Sequence, residues 1–154
     1  MFDLEKMNFT ITLKERVDSI LACNKVLERY DLVLTEDDAR NLLEKQYVTL
    51  KDVGRIELQG KIIEELISTF SDSQFFTKYD FANQIQELLE IFYYYKEATD
   101  EILSDEDIIK YLYLSFEGSC QGSLSWLGDN QLNELLDALN NGEDIFEGVK
   151  YGTY

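Results

Sequence analysis

The sequence predicts a mainly helical fold, a bundle of five to six helices, and three observations favour it. The chain has 154 residues and no proline, so the strongest helix breaker is missing. Hydrophobic residues make up 45% of the chain and charged residues 29%, which is a globular composition. Apolar residues recur at three- and four-residue steps, the spacing that places them on one face of a helix. The length fits a single domain over residues 1–154.

Two helices are predicted in the first third of the chain. Thr12 begins a capping-box pattern, which predicts a helix over residues 12–30 after an irregular lead-in at 1–11. Thr35 is followed by three acidic residues, which are favourable in the first turn because the helix dipole is positive there. Thr35 is therefore predicted as the N-cap of a short helix that ends near Gln46.

Residues 47–60 have the pattern of a strand rather than a helix. Residues 47–50 are predicted as extended, and Gly54 and Gly60 bracket five residues in which apolar and polar side chains alternate. The sequence therefore permits one small two-stranded β element beside the helices.

The centre of the predicted bundle is a long helix over residues 79–98, preceded by an amphipathic helix over 61–70. Near the end of the long helix, apolar residues cover almost the whole circumference, which is typical of a helix at the middle of a core. The alternative is an exposed aromatic stripe that binds a partner or ligand, formed by Tyr93, Tyr94 and Tyr95.

Two more helices complete the bundle. Ser104 and the three acids after it predict a helix N-terminus, and Gly118 is expected to end that helix in the left-handed conformation. A final helix carries an apolar stripe over residues 132–139. The tail, residues 143–154, is predicted as an irregular arm or an edge strand.

The charge of the chain limits its partners. Fourteen basic and 31 acidic residues give a formal net charge of −17. Such a surface repels phosphate backbones and anionic membranes, so neither direct nucleic-acid binding nor membrane binding is expected. The favoured explanation of the charge is solubility, and the alternative is an acidic face that binds a basic protein partner. There is no histidine, which excludes hydrolase triads that use a histidine base within this chain.

The sequence predicts a cytoplasmic protein without a cofactor or metal. The first residues are acidic and no apolar run follows, unlike a signal peptide, so both cysteines are expected to be reduced thiols. No stretch approaches the roughly 18 apolar residues of a membrane span. Phosphate-binding glycine loops, calcium loops and di-iron helix motifs are all absent from the sequence.

The most distinctive local motif is GSCQGS at residues 118–123, which contains Gly118, Cys120, Gln121 and Gly122. A cysteine between glycines, before a helix start, has some of what activates a thiol. No histidine exists to act as base, and no lysine or arginine lies near in sequence. The favoured interpretation is a tight turn around a small buried thiol, and the alternative is a nucleophilic Cys120.

Three stretches together resemble an uncharacterised protein family of clostridia and related Gram-positive bacteria. They are SDS at 71–73, EIFYYYK at 90–96 and GSCQGS at 118–123. The resemblance implies a bacterial cytoplasmic protein of unknown role, and it supplies no catalytic residues.

Three functions are compatible with these observations. The favoured prediction is a non-catalytic protein-interaction module with an acidic surface, because the sequence has strong surface charge and no recognisable catalytic set. The first alternative is an acidic nucleic-acid mimic that inhibits a nucleic-acid-binding protein. The second is a thiol-dependent enzyme or redox protein centred on Cys120.

Overall fold

The computed structural model describes residues 6–55 and 61–150, with side chains described for 13–55 and 61–147. Helices dominate this part of the chain, so the predicted mainly helical class is confirmed, and no strand occurs in it. Seven helices have six or more residues, close to the predicted five to six. In chain order the helices are α1 (Lys6–Leu21), α2 (Asn24–Leu27), α3 (Glu36–Asp52), α4 (Ile62–Phe70), α5 (Phe81–Ala98), α6 (Asp105–Glu117), α7 (Leu124–Gly128), α8 (Asn130–Asn140) and α9 (Ile145–Lys150).

Helix α5 is the centre of the packing, as the sequence predicts. It contacts α3, α4, α6 and α7. Eight of its side chains are buried, because its apolar residues occupy most of its circumference. Phe76 stacks on Phe70 and packs edge-on or tilted against Phe81 of α5 and Phe116, and these four aromatic rings complete the core.

The predicted N-caps of α3 and α6 are confirmed. The Thr35 hydroxyl accepts a 3.1 Å hydrogen bond from the Asp38 amide, and the Asp38 carboxylate accepts one of 2.8 Å from the Thr35 amide. The Ser104 hydroxyl accepts a 3.1 Å hydrogen bond from the Asp107 amide. These contacts satisfy amides that have no partner within the helix, which is why both helices begin at these residues.

The prediction of one continuous helix over residues 12–30 is wrong in two respects: the helix begins earlier, and it is interrupted. Helix α1 begins at Lys6, so Thr12 lies inside it, and residues 6–11 are not an irregular lead-in. The chain then turns at residues 22–23, where the prediction continued the helix to Tyr30. The reason is a tertiary contact: the Asn24 side-chain amide donates to the Leu34 carbonyl at 3.0 Å and accepts from the Leu34 amide at 2.8 Å.

Helix α3 continues six residues past the predicted end at Gln46, so residues 47–50 are helical rather than extended. Gln46 and Thr49 are buried on its inner side. Burial against α5 therefore outweighs the β propensity of this segment. Residues 56–60, which contain most of the predicted alternating strand, lie outside the described residues.

The described part of the tail also differs from its prediction, while residues 151–154 lie outside the described residues. Residues 145–150 form helix α9 rather than an irregular arm or edge strand. The Phe146 ring lies 6.5 Å from the Tyr111 ring, and the Lys110 ammonium lies 4.6 Å from the centre of the Phe146 ring. These contacts dock α9 on α6 and account for its helical order.

Candidate functional site

The three consecutive tyrosines of α5 have different environments. Tyr93 and Tyr95 are fully buried, whereas the side chain of Tyr94 is 41% exposed. Successive helical residues differ in direction by about 100°, so Tyr94 points away from the two sides on which Tyr93 and Tyr95 are buried. An aromatic stripe of three residues is therefore not formed, and Tyr94 alone is available to a partner.

The two buried tyrosines are held by hydrogen bonds to other helices. The Gln46 amide donates to the Tyr93 hydroxyl at 2.9 Å, which joins α3 to α5. The Tyr95 hydroxyl donates to the Leu127 carbonyl at 2.6 Å, which joins α5 to α7. Burial raises the pKa of Tyr95 far above its usual value, so its hydroxyl stays protonated and keeps donating.

The glycine–cysteine motif forms the turn between α6 and α7. The predicted left-handed Gly118 is wrong, since its φ is −98°, and the left-handed residues are Gln121 at 46° and Gly122 at 82°. The Gly122 amide donates to the Phe116 carbonyl at 2.8 Å. A methyl group at Gly122 would lie 2.5 Å from the Phe75 ring. Glycine is needed at 122 both for its conformation and for this close approach.

Cys120 lies inside this turn as a buried thiol. Its sulfur lies 3.6 Å from the side-chain oxygen of Gln131, which also accepts a 2.8 Å hydrogen bond from the Ser119 hydroxyl. Burial raises the pKa of Cys120 to about 11, although its contact with Ser119 acts in the opposite direction. An activated thiol needs access and a lowered pKa, so this environment favours the interpretation of a small buried thiol.

The turn shares one buried polar network with Tyr111, whose ring lies beside that of Tyr95, without forming an open site. The Gln131 amide donates to the Tyr111 hydroxyl at 2.8 Å, and the Tyr111 and Tyr95 rings lie 6.2 Å apart. Such a network fixes how α5, α6 and α8 pack. Gln121 is exposed, while Gly118 is buried and Gly122 half-buried.

The exposed side of α5 is a ridge of acidic residues with Tyr94 among them. Three- and four-residue steps place Glu87, Glu90, Tyr94, Glu97 and, just beyond the helix, Glu101 along this ridge. This spacing is present in the sequence, where the apolar residues of α5 alone do not reveal it. The acidic spacing is the signal that could have separated Tyr94 from Tyr93 and Tyr95.

Helix α3 lies beside this ridge and adds to the same surface. The Lys45 ammonium lies 3.5 Å from Glu90 Oε1, and the Tyr94 hydroxyl donates to Glu90 Oε2 at 3.3 Å. Partial burial, the charge and hydrogen bond of Glu90, and the charge of Asp52 on α3 raise the pKa of Tyr94.

Val48 belongs to the same surface by its position on α3. It lies three residues after Lys45 and four before Asp52, which places the three on one side of the helix. Its side chain is 43% exposed. We call this surface the Tyr94 face, formed by Lys45, Val48, Asp52, Glu87, Glu90 and Tyr94.

An arginine forms ion pairs with the acidic residues at the C-terminal end of the ridge. Arg55 lies 2.7 Å from Glu101 Oε1 and 3.4 Å from Glu97 Oε1, and its side chain is only 18% exposed. The hydrogen bond and charge of Arg55 lower the pKa of Glu101. Arg55 is thus an ion-pair anchor for acids that follow it in sequence.

A concave surface lies elsewhere, between α4 and α6, as an open groove of about 540 Å³. Its wall includes the apolar side chains of Ile109 and Leu114, with two lysines and three glutamates around them. Carboxylates and ammonium groups are mixed there, so the groove selects no ligand charge. The described residues contain no group of three or more acidic, cysteine or histidine side chains that could hold a metal ion.

Comparisons with known proteins give one family and no characterised relative. The model of a family of unknown function (DUF6323) matches residues 19–145. The resemblance to an uncharacterised family is therefore confirmed. No curated protein and no solved structure matches the chain. Within the described residues, no helix is long and apolar enough to cross a membrane.

Proposed function

Because this chain belongs to a family of unknown function, DUF6323, we propose its role from its own surface: it is a protein-interaction module that binds a basic partner through the Tyr94 face. The observation that carries this proposal is the exposure of Tyr94 on α5 and Val48 on α3, at 41% and 43%, on two helices that pack against each other. Apolar side chains exposed within a polar rim are typical of protein–protein interfaces, and tyrosine is among the residues that contribute most to binding energy there.

The charge of the Tyr94 face supports a basic partner. Asp52, Glu87 and Glu90 contribute −3 and Lys45 contributes +1, so the face has a formal charge of −2. It lies on a chain whose net charge is −17, which adds a long-range attraction for cationic proteins. Electrostatic complementarity of this kind mainly raises the association rate and the specificity of a complex.

The two alternative functions have less support. A thiol enzyme needs an accessible, acidic thiol, whereas Cys120 is buried and has a raised pKa. A nucleic-acid mimic needs an unbroken row of free carboxylates. The ridge of α5 is interrupted by Tyr94, and Glu90 is paired with Lys45. Both stay predictions: the capture experiment below distinguishes the mimic from the proposed function, and the labelling rate of Cys120 tests the thiol enzyme.

The test is affinity capture from a lysate of the organism that encodes the chain, with three baits at low and high salt. The baits are the wild-type chain, Tyr94→Ala and Tyr79→Ala. Tyr79 is a matched control because it is a 90% exposed tyrosine that precedes α5, at the opposite end of this helix from Tyr94.

We expect one basic protein to bind wild type and Tyr79→Ala, to be lost with Tyr94→Ala, and to bind less at high salt. Equal capture by all three baits would contradict the proposed function. A captured nucleic-acid-binding protein that is released by added duplex DNA would instead support the mimic.

A further inference from the structure

The α5 ridge binds two cations from its own chain, and it binds them differently. Arg55 is mostly buried and bridges Glu97 and Glu101, with a shortest distance of 2.7 Å. Lys45 reaches Glu90 at 3.5 Å, and both side chains of that pair are about one-third exposed, at 32% and 34%. The carboxylates at the Arg55 end of the ridge are therefore already paired with a mostly buried cation. At the other end, the ion pair between Lys45 and Glu90 is longer and more exposed.

The Glu90 carboxylate is already oriented for a stronger ligand. Its Oε2 accepts from the Tyr94 hydroxyl, and its Oε1 faces the Lys45 ammonium. A partially exposed lysine pair contributes little to stability, since an ammonium on a flexible chain loses side-chain entropy when held. Displacing Lys45 therefore costs little.

Resting on the proposed function, we infer that the partner inserts an arginine side chain at the Tyr94 face, where its guanidinium displaces Lys45 from Glu90 and lies against the Tyr94 ring. A guanidinium is planar, forms paired hydrogen bonds with carboxylates and stacks on aromatic rings, which an ammonium does less well. Asp52, four residues after Val48 on α3, supplies a second carboxylate to the same face. The exposed Val48 side chain can cover the aliphatic part of the arginine.

The inference is tested with two synthetic alanine-based helical peptides that differ only in carrying arginine or lysine at the same positions. Their binding is measured by fluorescence anisotropy at low salt with wild type, Lys45→Gln and Lys78→Gln. Lys78 is the matched control because it is an exposed lysine that pairs with Asp31, away from the Tyr94 face. Both substitutions make the net charge more negative by one.

We expect the arginine peptide to bind wild type at least threefold more tightly than the lysine peptide. Lys45→Gln should tighten binding of the arginine peptide severalfold more than Lys78→Gln does, because it removes the competing cation. Equal effects of the two substitutions, no preference for arginine, or no binding of either peptide would each overturn the inference.

The failure of this inference can be told apart from the failure of the proposed function. If the natural partner still depends on Tyr94 in the capture experiment while the peptides show no preference for arginine, the Tyr94 face is an interaction surface and only the arginine inference fails. If the capture experiment shows no dependence on Tyr94, the proposed function itself fails.

Discussion

Tyr94 and Tyr95 are neighbours on α5 with opposite roles. Tyr95 is fully buried and donates a hydrogen bond to the Leu127 carbonyl, whereas Tyr94 is exposed and donates one to the Glu90 carboxylate. Removing the Tyr95 hydroxyl leaves a buried carbonyl without its partner. We expect Tyr95→Phe to lower the free energy of unfolding by about 1–2 kcal/mol. Tyr94→Phe should change it by less than about 0.5 kcal/mol.

Urea unfolding of the two variants measures this difference. Equal stability losses would contradict the assignment of Tyr95 to the core and Tyr94 to the surface.

The turn after α6 gives a second prediction. Gly122→Ala places a methyl group 2.5 Å from the Phe75 ring at a φ of 82°. Gly142→Ala has a similar φ of 69° with no atom within 4 Å of the new methyl group. The left-handed conformation costs alanine roughly 1–2 kcal/mol at either position, and overpacking adds about 1–3 kcal/mol at 122 alone.

Thermal or urea unfolding should therefore find Gly122→Ala the less stable variant. If Gly142→Ala were equally destabilised, the close approach of Phe75 would not matter.

The environment of Cys120 predicts that its thiol reacts slowly with alkylating reagents. A rise in pKa from 9.0 to about 11 reduces the thiolate fraction near neutral pH, and hence the alkylation rate, by roughly 100-fold before any steric shielding. The rate of iodoacetamide labelling, followed by mass spectrometry in a Cys23→Ser background, measures this against the same chain in denaturant. Labelling as fast in the folded chain as in the unfolded chain would revive the thiol-enzyme alternative.

Glu117 predicts a pH dependence of stability. Its carboxylate accepts a 2.5 Å hydrogen bond from the Ser73 hydroxyl, but burial and the nearby charge of Asp72 raise its pKa above the usual 4.5. The folded chain therefore binds this proton more tightly than the unfolded chain does. The stabilisation is present below pH 4.5 and is lost as the pH rises through the folded-state pKa.

Glu117→Gln removes this titration, so its stability relative to wild type should be higher at pH 7 than at pH 4. Urea midpoints at both pH values measure the change. Glu44→Gln, an exposed substitution of equal charge on α3, reports the effect of net charge alone. If both variants shift by the same amount, the raised pKa of Glu117 contributes nothing.

The features that could be predicted from the sequence are local ones. Thr35 and Ser104 were recognisable as caps because each bonds an amide three residues away. The apolar stripes of α4 and α5 were recognisable because their period is that of a helix.

The features that could not be predicted depend on contacts between distant segments. The extension of α3 to Asp52 depends on the burial of Gln46 and Thr49 against other helices. The turn at residues 22–23 depends on the bonds from Asn24 to Leu34. In the candidate site, Tyr94 was identified within a group of three. The other apolar and charged residues of α3 in the Tyr94 face could not be identified, because they reach Tyr94 only through the packing of α3 against α5. These residues are Lys45, Val48 and Asp52.

The measurement that tests the Tyr94 face most directly is photo-crosslinking in living cells of the organism that encodes the chain. A benzophenone amino acid is introduced at position 48, on the face, and separately at the exposed position 79, away from it. We predict that position 48 forms an adduct with one basic protein, that Tyr94→Ala abolishes the adduct, and that position 79 does not form it. No adduct from position 48, or the same adduct from both positions regardless of Tyr94, would contradict the proposed interaction surface.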